Sequence, residues 1–117
     1  HKDKFVEQLK RCTRVHKTAA HIYLRDEETI YAGNRFMVYA LFPQVNISVH
    51  EIWGKNKRNV VFAAGKSIFN RTSKMNIGEF MLQYGGGGHI AAGTCQVPID
   101  QADRIREEII TAMVQDV

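Results

Sequence analysis

Gly85-Gly86-Gly87-Gly88-His89-Ile90-Ala91-Ala92-Gly93 interrupts an otherwise ordinary mixture of polar and apolar residues. Four adjacent glycines give up a great deal of backbone freedom on folding, so a folded chain keeps them only where something requires them. Glycines admit positive φ and put no Cβ in the way, so successive N–H groups can curve into a concavity that holds an anion. His89 adds a side chain able to donate to an oxyanion in either tautomer, more strongly when protonated. A single glycine suffices to cap a helix, so capping leaves most of the run unexplained.

The flanks of this run predict the elements around it. Before it, Asn76 caps a helix, with Glu79 at the capping-box position and Ile77, Phe80, Met81 and Tyr84 as one apolar stripe ending at Gly85. After it, Thr94–Val97 reads as a strand. Pro98 and a capping Asp100 then open a final helix whose inward face is Ala102, Ile105, Ile109 and Met113. Further upstream, residues 3–18 place Phe5, Leu9 and Cys12 on one helical face. Asn34–Pro43, Val45–Gly54 and Asn59–Ala64 are apolar or β-branched runs that read as strands, Val45, Ile47, Val49 and Trp53 falling at period two. The fold class expected is α+β: a mixed β-sheet of about five strands with helices packed on it, in one domain over residues 1–117. The chain opens in mid-pattern, with no cap or turn before its first helix, which predicts that it is part of a longer protein.

The sequence is 44% hydrophobic and 24% charged, which excludes intrinsic disorder. No apolar stretch is long enough to span a bilayer and no signal-peptide pattern follows the charged start, so no membrane partner is expected and the cytoplasm is the default location. Cys12 and Cys95 lie far apart without metal-ligand spacing, which argues against a disulfide framework or a zinc site. The net charge of +4 is unevenly spread. Between Gly54 and Lys74, the residues Lys55, Lys57, Arg58, Lys66, Arg71 and Lys74 occur with no acid among them, which suggests an anionic ligand. Lys55, Lys57 and Arg58 are better read as an edge that discourages aggregation. Gly86, Gly88 and Ala91 match a dinucleotide-fold spacing only formally, because the run follows a helix rather than a strand. His89-Ile90 is not the Lys-Ser/Thr pair of a nucleotide-triphosphatase loop.

Taken with Arg71-Thr72-Ser73 and the capped helix before it, GGGGHIAAG resembles the DHH-associated C-terminal domain of the DHH phosphoesterase family. The resemblance runs from about Asn34 to the end. Asn34-Arg35-Phe36 and Gly65–Ser73, GKSIFNRTS, look most like the exopolyphosphatase-related members, and similar segments occur in RecJ-like exonucleases, nano-RNases and cyclic dinucleotide phosphodiesterases. The resemblance implies a substrate-binding domain. Gly85, Gly86, Gly87, Gly88 and His89 would contact a substrate phosphate or terminal nucleotide, Arg71 would pair with phosphate through its planar fork, and Ser73 would add a hydroxyl. Relatives often place Arg directly before Ser, so the intervening Thr72 leaves open which hydroxyl faces the ligand. Asn70 and Lys74 are weaker candidates, and His50 and Arg35 are placed on strands that border the cleft.

By the same resemblance, hydrolysis and Mn2+ belong to an N-terminal Asp-His-His domain of the same protein. This sequence has no such triplet, and His1, His16, His21, His50 and His89 are not clustered with carboxylates. No catalytic or metal-binding residue is therefore expected in it, and the fragment alone is expected to be inactive. The ligand implied is a nucleotide, a short oligonucleotide or polyphosphate. The alternative is a non-hydrolytic nucleic-acid-binding module similar to the C-terminal domain of alanyl-tRNA synthetase. The aromatic residues look like core, so no stacking platform for long strands is evident.

Overall fold

A computed structural model describes residues 2–116 as one six-stranded sheet with helices on both faces. The elements run α1 (Lys2–Cys12), β1 (Thr13–His16), β2 (Ala19–Tyr23), α2 (Met37–Leu41), β3 (Ile47–Trp53), β4 (Val60–Lys66), α3 (Ile77–Leu82), β5 (Gly87–His89), β6 (Ala92–Val97) and α4 (Ala102–Gln115). The strand order is β1-β2-β3-β4-β6-β5, with β2 and β3 parallel and every other neighbouring pair antiparallel. The sheet is therefore mixed, as expected, with six strands rather than about five.

Three elements depart from the sequence reading. The helix expected over 3–18 stops at Cys12, where Thr13-Arg14-Val15-His16 switches to a half-buried alternation and pairs with β2 through a turn at Lys17, φ 57°. No glycine or asparagine marks that turn, so the hairpin carries no sequence signal. Asn34–Pro43 is not a strand. Asn34 accepts from the Phe36 N–H through its side chain, at 2.9 Å, and from the Met37 N–H through its carbonyl, at 2.9 Å, which turns the chain into α2. Short apolar runs fit either period, and here the helical one wins. Asp100 is no cap: it sits in a 3-10 turn, Ile99–Gln101, that precedes α4.

The helices divide the core in two. On one face, α3 and α4 bury Ile77, Met81, Ala102, Ile105, Ile109 and Met113 against Ile47, Val49, Val60, Phe62, Ala64, Cys95 and Val97. All four inward positions expected of the last helix are buried. Asn76 caps α3, its Oδ1 accepting from the Glu79 N–H at 3.1 Å. On the other face, α1 and α2 pack Leu9, Val38 and Tyr39 over Ala20, Ile22, Leu24 and Val45. This second layer covers one side of the sheet only. Across β4 and β6 the same face carries half-buried Val61 and Ala63 and exposed Thr94 and Gln96.

A charge cluster ties the first layer together. The Glu51 carboxylate, fully buried on β3, accepts from Arg106 of α4 at 2.6 and 2.7 Å, from Arg25 at 2.9 Å and from His21 at 2.8 Å. Burial alone would raise its pKa, but the hydrogen bonds from Arg106, His21 and Arg25 outweigh that and hold it at about 2.

Candidate functional site

The glycine run ends α3 and then becomes an edge strand. The Gly85 N–H donates to the Leu82 carbonyl and the Gly86 N–H to the Met81 carbonyl, both at 3.0 Å, closing the helix. Gly85 has φ 79° and its missing side chain faces open space, as a helix-ending glycine should. At Gly86 an added Cβ would lie 2.0 Å from the Thr94 carbonyl oxygen, so close approach to β6 demands glycine. Gly88, at φ 146°, is pressed on β6 in the same way, an added Cβ lying 2.3 Å from the Ala92 carbonyl oxygen, and Gly78 of α3 must be glycine to pass its backbone. The expected nest of bare, convergent amides is therefore not what these residues build: two amides are spent on the helix, and Gly87–His89 pair along β6. Gly87 alone is left without a packing reason, because its φ is ordinary and an added Cβ would meet nothing within 4 Å.

Strand register explains what Gly87 faces. Two cross-strand rows run side by side on the partly uncovered face of the sheet. One is Ser48, Gly65, Ala92 and His89; the other is His50, Ala63, Thr94 and Gly87. Small residues form the floor, with Ser48 and His50 at one end and His89 at the other. Above the first row lies a cleft of about 270 Å3 whose lining includes Arg35, Phe36, Tyr39, His50, Lys66, Ile68 and His89, with no acidic residue among them. Arg35, Lys66 and Arg71 take part in none of the ion pairs found among the described residues. Cationic side chains left without carboxylates around one cleft are what an anion needs.

Each polar group here has a defined state. The Ala91 N–H donates to His89 Nδ1 at 3.2 Å, which leaves the proton of the neutral ring on Nε2 and presents a donor. One tautomer is thereby favoured over the two considered from sequence. Tyr39 donates to the Gly65 carbonyl at 2.9 Å, so the 2.8 Å contact with Ser48 is a donation by the serine hydroxyl, whose remaining lone pairs can accept. Burial pushes the Tyr39 phenol up and keeps it protonated. Burial, reinforced by the charges of Arg35 and His21, lowers His50 to about 4, so it is a neutral wall at physiological pH.

The second group of expected contacts sits beside the cleft. Lys66, Ser67, Ile68, Asn70, Arg71, Ser73 and Ala91 line a hollow of about 340 Å3 that shares Lys66, Ile68 and Ala91 with the first. Arg71 is exposed and uses Nε on the Ile68 carbonyl at 3.2 Å, leaving its terminal nitrogens for a ligand; the salt bridge to Glu79 does not form. Ser73 lines the hollow, but its hydroxyl donates to Asp116 beyond α4. Thr72 bonds Asn46 and Asn70. Neither hydroxyl is aimed at the cleft. Lys74 is anchored by its N–H to Asp116 at 3.0 Å. Arg35 and His50 do border the cleft, Arg35 from the turn before α2 rather than from a strand. Lys66 was marked by the acid-free basic stretch, whereas Tyr39 and Ser48 were missed, because only register, invisible in an unpaired sequence, sets Ser48 beside Gly65.

No protein-family model matches the chain, and no curated protein does either. Among solved structures, a pGpG-specific phosphodiesterase, PggH from Vibrio cholerae, superposes with a TM-score of 0.97 and 56% identity, over all of this chain and 40% of that one. An exopolyphosphatase-related protein from Bacteroides fragilis superposes with a TM-score of 0.70 at 14% identity, over 96% of this chain and 34% of that one; this likeness speaks to fold alone. The chain thus spans well under half the length of either protein. No helix among the described residues is long and apolar enough to cross a membrane. Its GGGGHIAAG hairpin, its mixed sheet and the likeness to the phosphodiesterase along its whole length show that the chain belongs to the DHH phosphoesterase family, as a DHH-associated domain.

Proposed function

We propose that this chain is the substrate-holding domain of a metal-dependent phosphoesterase, gripping a phosphate of a nucleotide or short oligonucleotide. The observation that carries the reading is the acid-free cleft in which Arg35, Lys66 and His89 gather over a floor of Gly65, Ala63 and Ala92. His89 Nε2–H donates to a phosphate oxygen, while Lys66 and Arg35 neutralise its charge. Phe36, Tyr39 and Ile68 give the cleft an apolar side, which suits a nucleoside better than polyphosphate, a ligand with no apolar part. The relative from Vibrio cholerae is described as specific for pGpG, so a 5′-phosphorylated dinucleotide is the first substrate to test.

Hydrolysis, in this proposal, belongs to a separate Asp-His-His domain of the same protein, which carries Mn2+. Among the described residues no three His, Cys, Asp or Glu side chains come together to hold a metal. Its contribution is to fix the phosphate relative to the attacking group, which converts a bimolecular encounter into an oriented one. Calorimetric titration of the chain with pGpG, 5′-GMP and tripolyphosphate tests the reading: nucleotides should bind and saturate at one site, and tripolyphosphate should bind more weakly than either. Equal affinity for all three, or none, would contradict it.

A further inference from the structure

The inward stripe of α1 carries one residue of the wrong kind. Phe5, Gln8, Leu9 and Cys12 follow one another at helical spacing, and Gln8 among them is only 2% exposed. A carboxamide so deeply buried has to find partners, or its lost hydration goes uncompensated. It finds them in the segment between β2 and α2. Gln8 Nε2 donates to Glu27 Oε1 at 3.0 Å and to the Thr29 carbonyl at 2.7 Å, and Gln8 Oε1 accepts from the Tyr31 N–H at 3.0 Å. Three of the four bonds an amide can make thus fall on one short arc of chain. Among the described residues, the stretch from Glu28 to Gly33 makes no other hydrogen bond. Arg11 adds a second hold on Glu27 at the start of the arc. At its far end Gly33 lies flat on Phe5, where an added Cβ would sit 2.3 Å from the ring.

Two residues beyond Gly33 stands Arg35, which borders the cleft with no carboxylate to steady it. A long side chain without an ion pair keeps its place only as well as its backbone is held. Arg35 and His50 line both the cleft and a smaller cavity of about 230 Å3, whose other walls include Phe5, Gln8, Leu9 and Tyr31. We infer that Gln8 is a positioning residue of the cleft: by clasping the arc that leads to Arg35, it sets where that guanidinium meets an anion. This rests on the reading that Arg35 neutralises a bound phosphate. Gln8 lines the smaller cavity and not the cleft, so it acts through Arg35 and not on the ligand.

The test is a double-mutant cycle between Gln8→Met and Arg35→Ala, read by calorimetric titration with 5′-GMP. Methionine matches glutamine in length and helix propensity but makes none of its bonds, so the packing of α1 is kept. Arg35→Ala should weaken binding about tenfold, as loss of a charge-assisted contact does. Gln8→Met should weaken it about threefold or more in the wild-type chain, and by less than about twofold beside Arg35→Ala, because the arginine it places is gone. Gly33→Ala, which presses the arc off Phe5, should behave as Gln8→Met does, and it decides the matter where that variant does not fold. A second readout needs no ligand. The charges of Arg35 and His21 oppose protonation of His50, so Gln8→Met should raise the His50 NMR midpoint above the wild-type value of about 4 and leave it unmoved beside Arg35→Ala. With Arg35→Ala weakened as expected, equal effects of Gln8→Met in both backgrounds, or none in either, overturn the role of Gln8. If Arg35→Ala binds 5′-GMP as wild type does, the phosphate contact is wrong, and an unmoved midpoint would then overturn the positioning as well.

Discussion

Arg106 of α4 and Glu51 of β3 meet fork to fork, Nε 2.6 Å from Oε1 and Nη2 2.7 Å from Oε2, although 55 residues separate them in sequence. Because Arg25 and His21 bind the same carboxylate, removing its charge strands two guanidinium groups with little access to water. Breaking such a cluster from one side costs more than an exposed pair is worth. Glu51→Gln should therefore destabilise the fold by about 3 kcal/mol, read as a fall in the urea midpoint at unchanged slope.

The same carboxylate gives the pH dependence a sign. Its folded pKa of about 2 lies below the ordinary 4.5, so its contribution is complete above pH 4.5 and is lost as the pH falls toward 2. His50 acts in the same direction: held near 4 against an ordinary 6.5, it resists the proton that the unfolded chain takes up, so stability begins to fall below 6.5. Urea midpoints should decline from neutral pH to pH 3, and Glu51→Gln should flatten the lower part of that decline.

His50 is also a direct reporter on the cleft. Proton NMR titration should find one imidazole with a midpoint near 4, and Arg35→Ala should raise it, since the Arg35 charge opposes protonation. Burial is the larger cause, so the midpoint should stay below 6.5 in the variant. No movement would separate Arg35 from the cleft wall.

The glycine run divides into members that close packing requires and one that it does not, and alanine substitution distinguishes them. Gly86→Ala would set a Cβ 2.0 Å from the Thr94 oxygen and should abolish folding or cost several kcal/mol. Gly87→Ala meets nothing within 4 Å, so it should leave the thermal midpoint within a few degrees of wild type. Thermal unfolding of both variants checks this.

The sequence told much about this fold and less about its site, for identifiable reasons. The α3 cap at Asn76 and the inward face of α4 were readable because their signals are local. β1 and β2 were not, because their hairpin turns at Lys17 without a turn residue, and Asn34–Pro43 carried a period that suits two structures. His89 and Arg71 stood out by motif. Ser48 and Tyr39 did not, because only strand register puts Ser48 in the same row as Gly65, Ala92 and His89. Most of the glycines are claimed by the end of α3 and by close approach to β6.

Two activities separate this account from a module that grips long RNA. Incubated with Mn2+ and pGpG, the chain alone should release no GMP. Its affinity for single-stranded RNA should level off beyond two nucleotides, with a shallow salt slope, because two cations, Arg35 and Lys66, line the cleft. Affinity that keeps climbing with length would favour the RNA module.

The most direct measurement is the dissociation constant of 5′-GMP for wild type and for His89→Ala at neutral pH, with the thermal midpoint of each recorded alongside. Loss of a donor to a charged oxygen should weaken binding about tenfold or more while the midpoint stays put, since His89 is exposed and supports no core residue. Unchanged affinity in a folded variant would contradict the claim that His89 holds the phosphate.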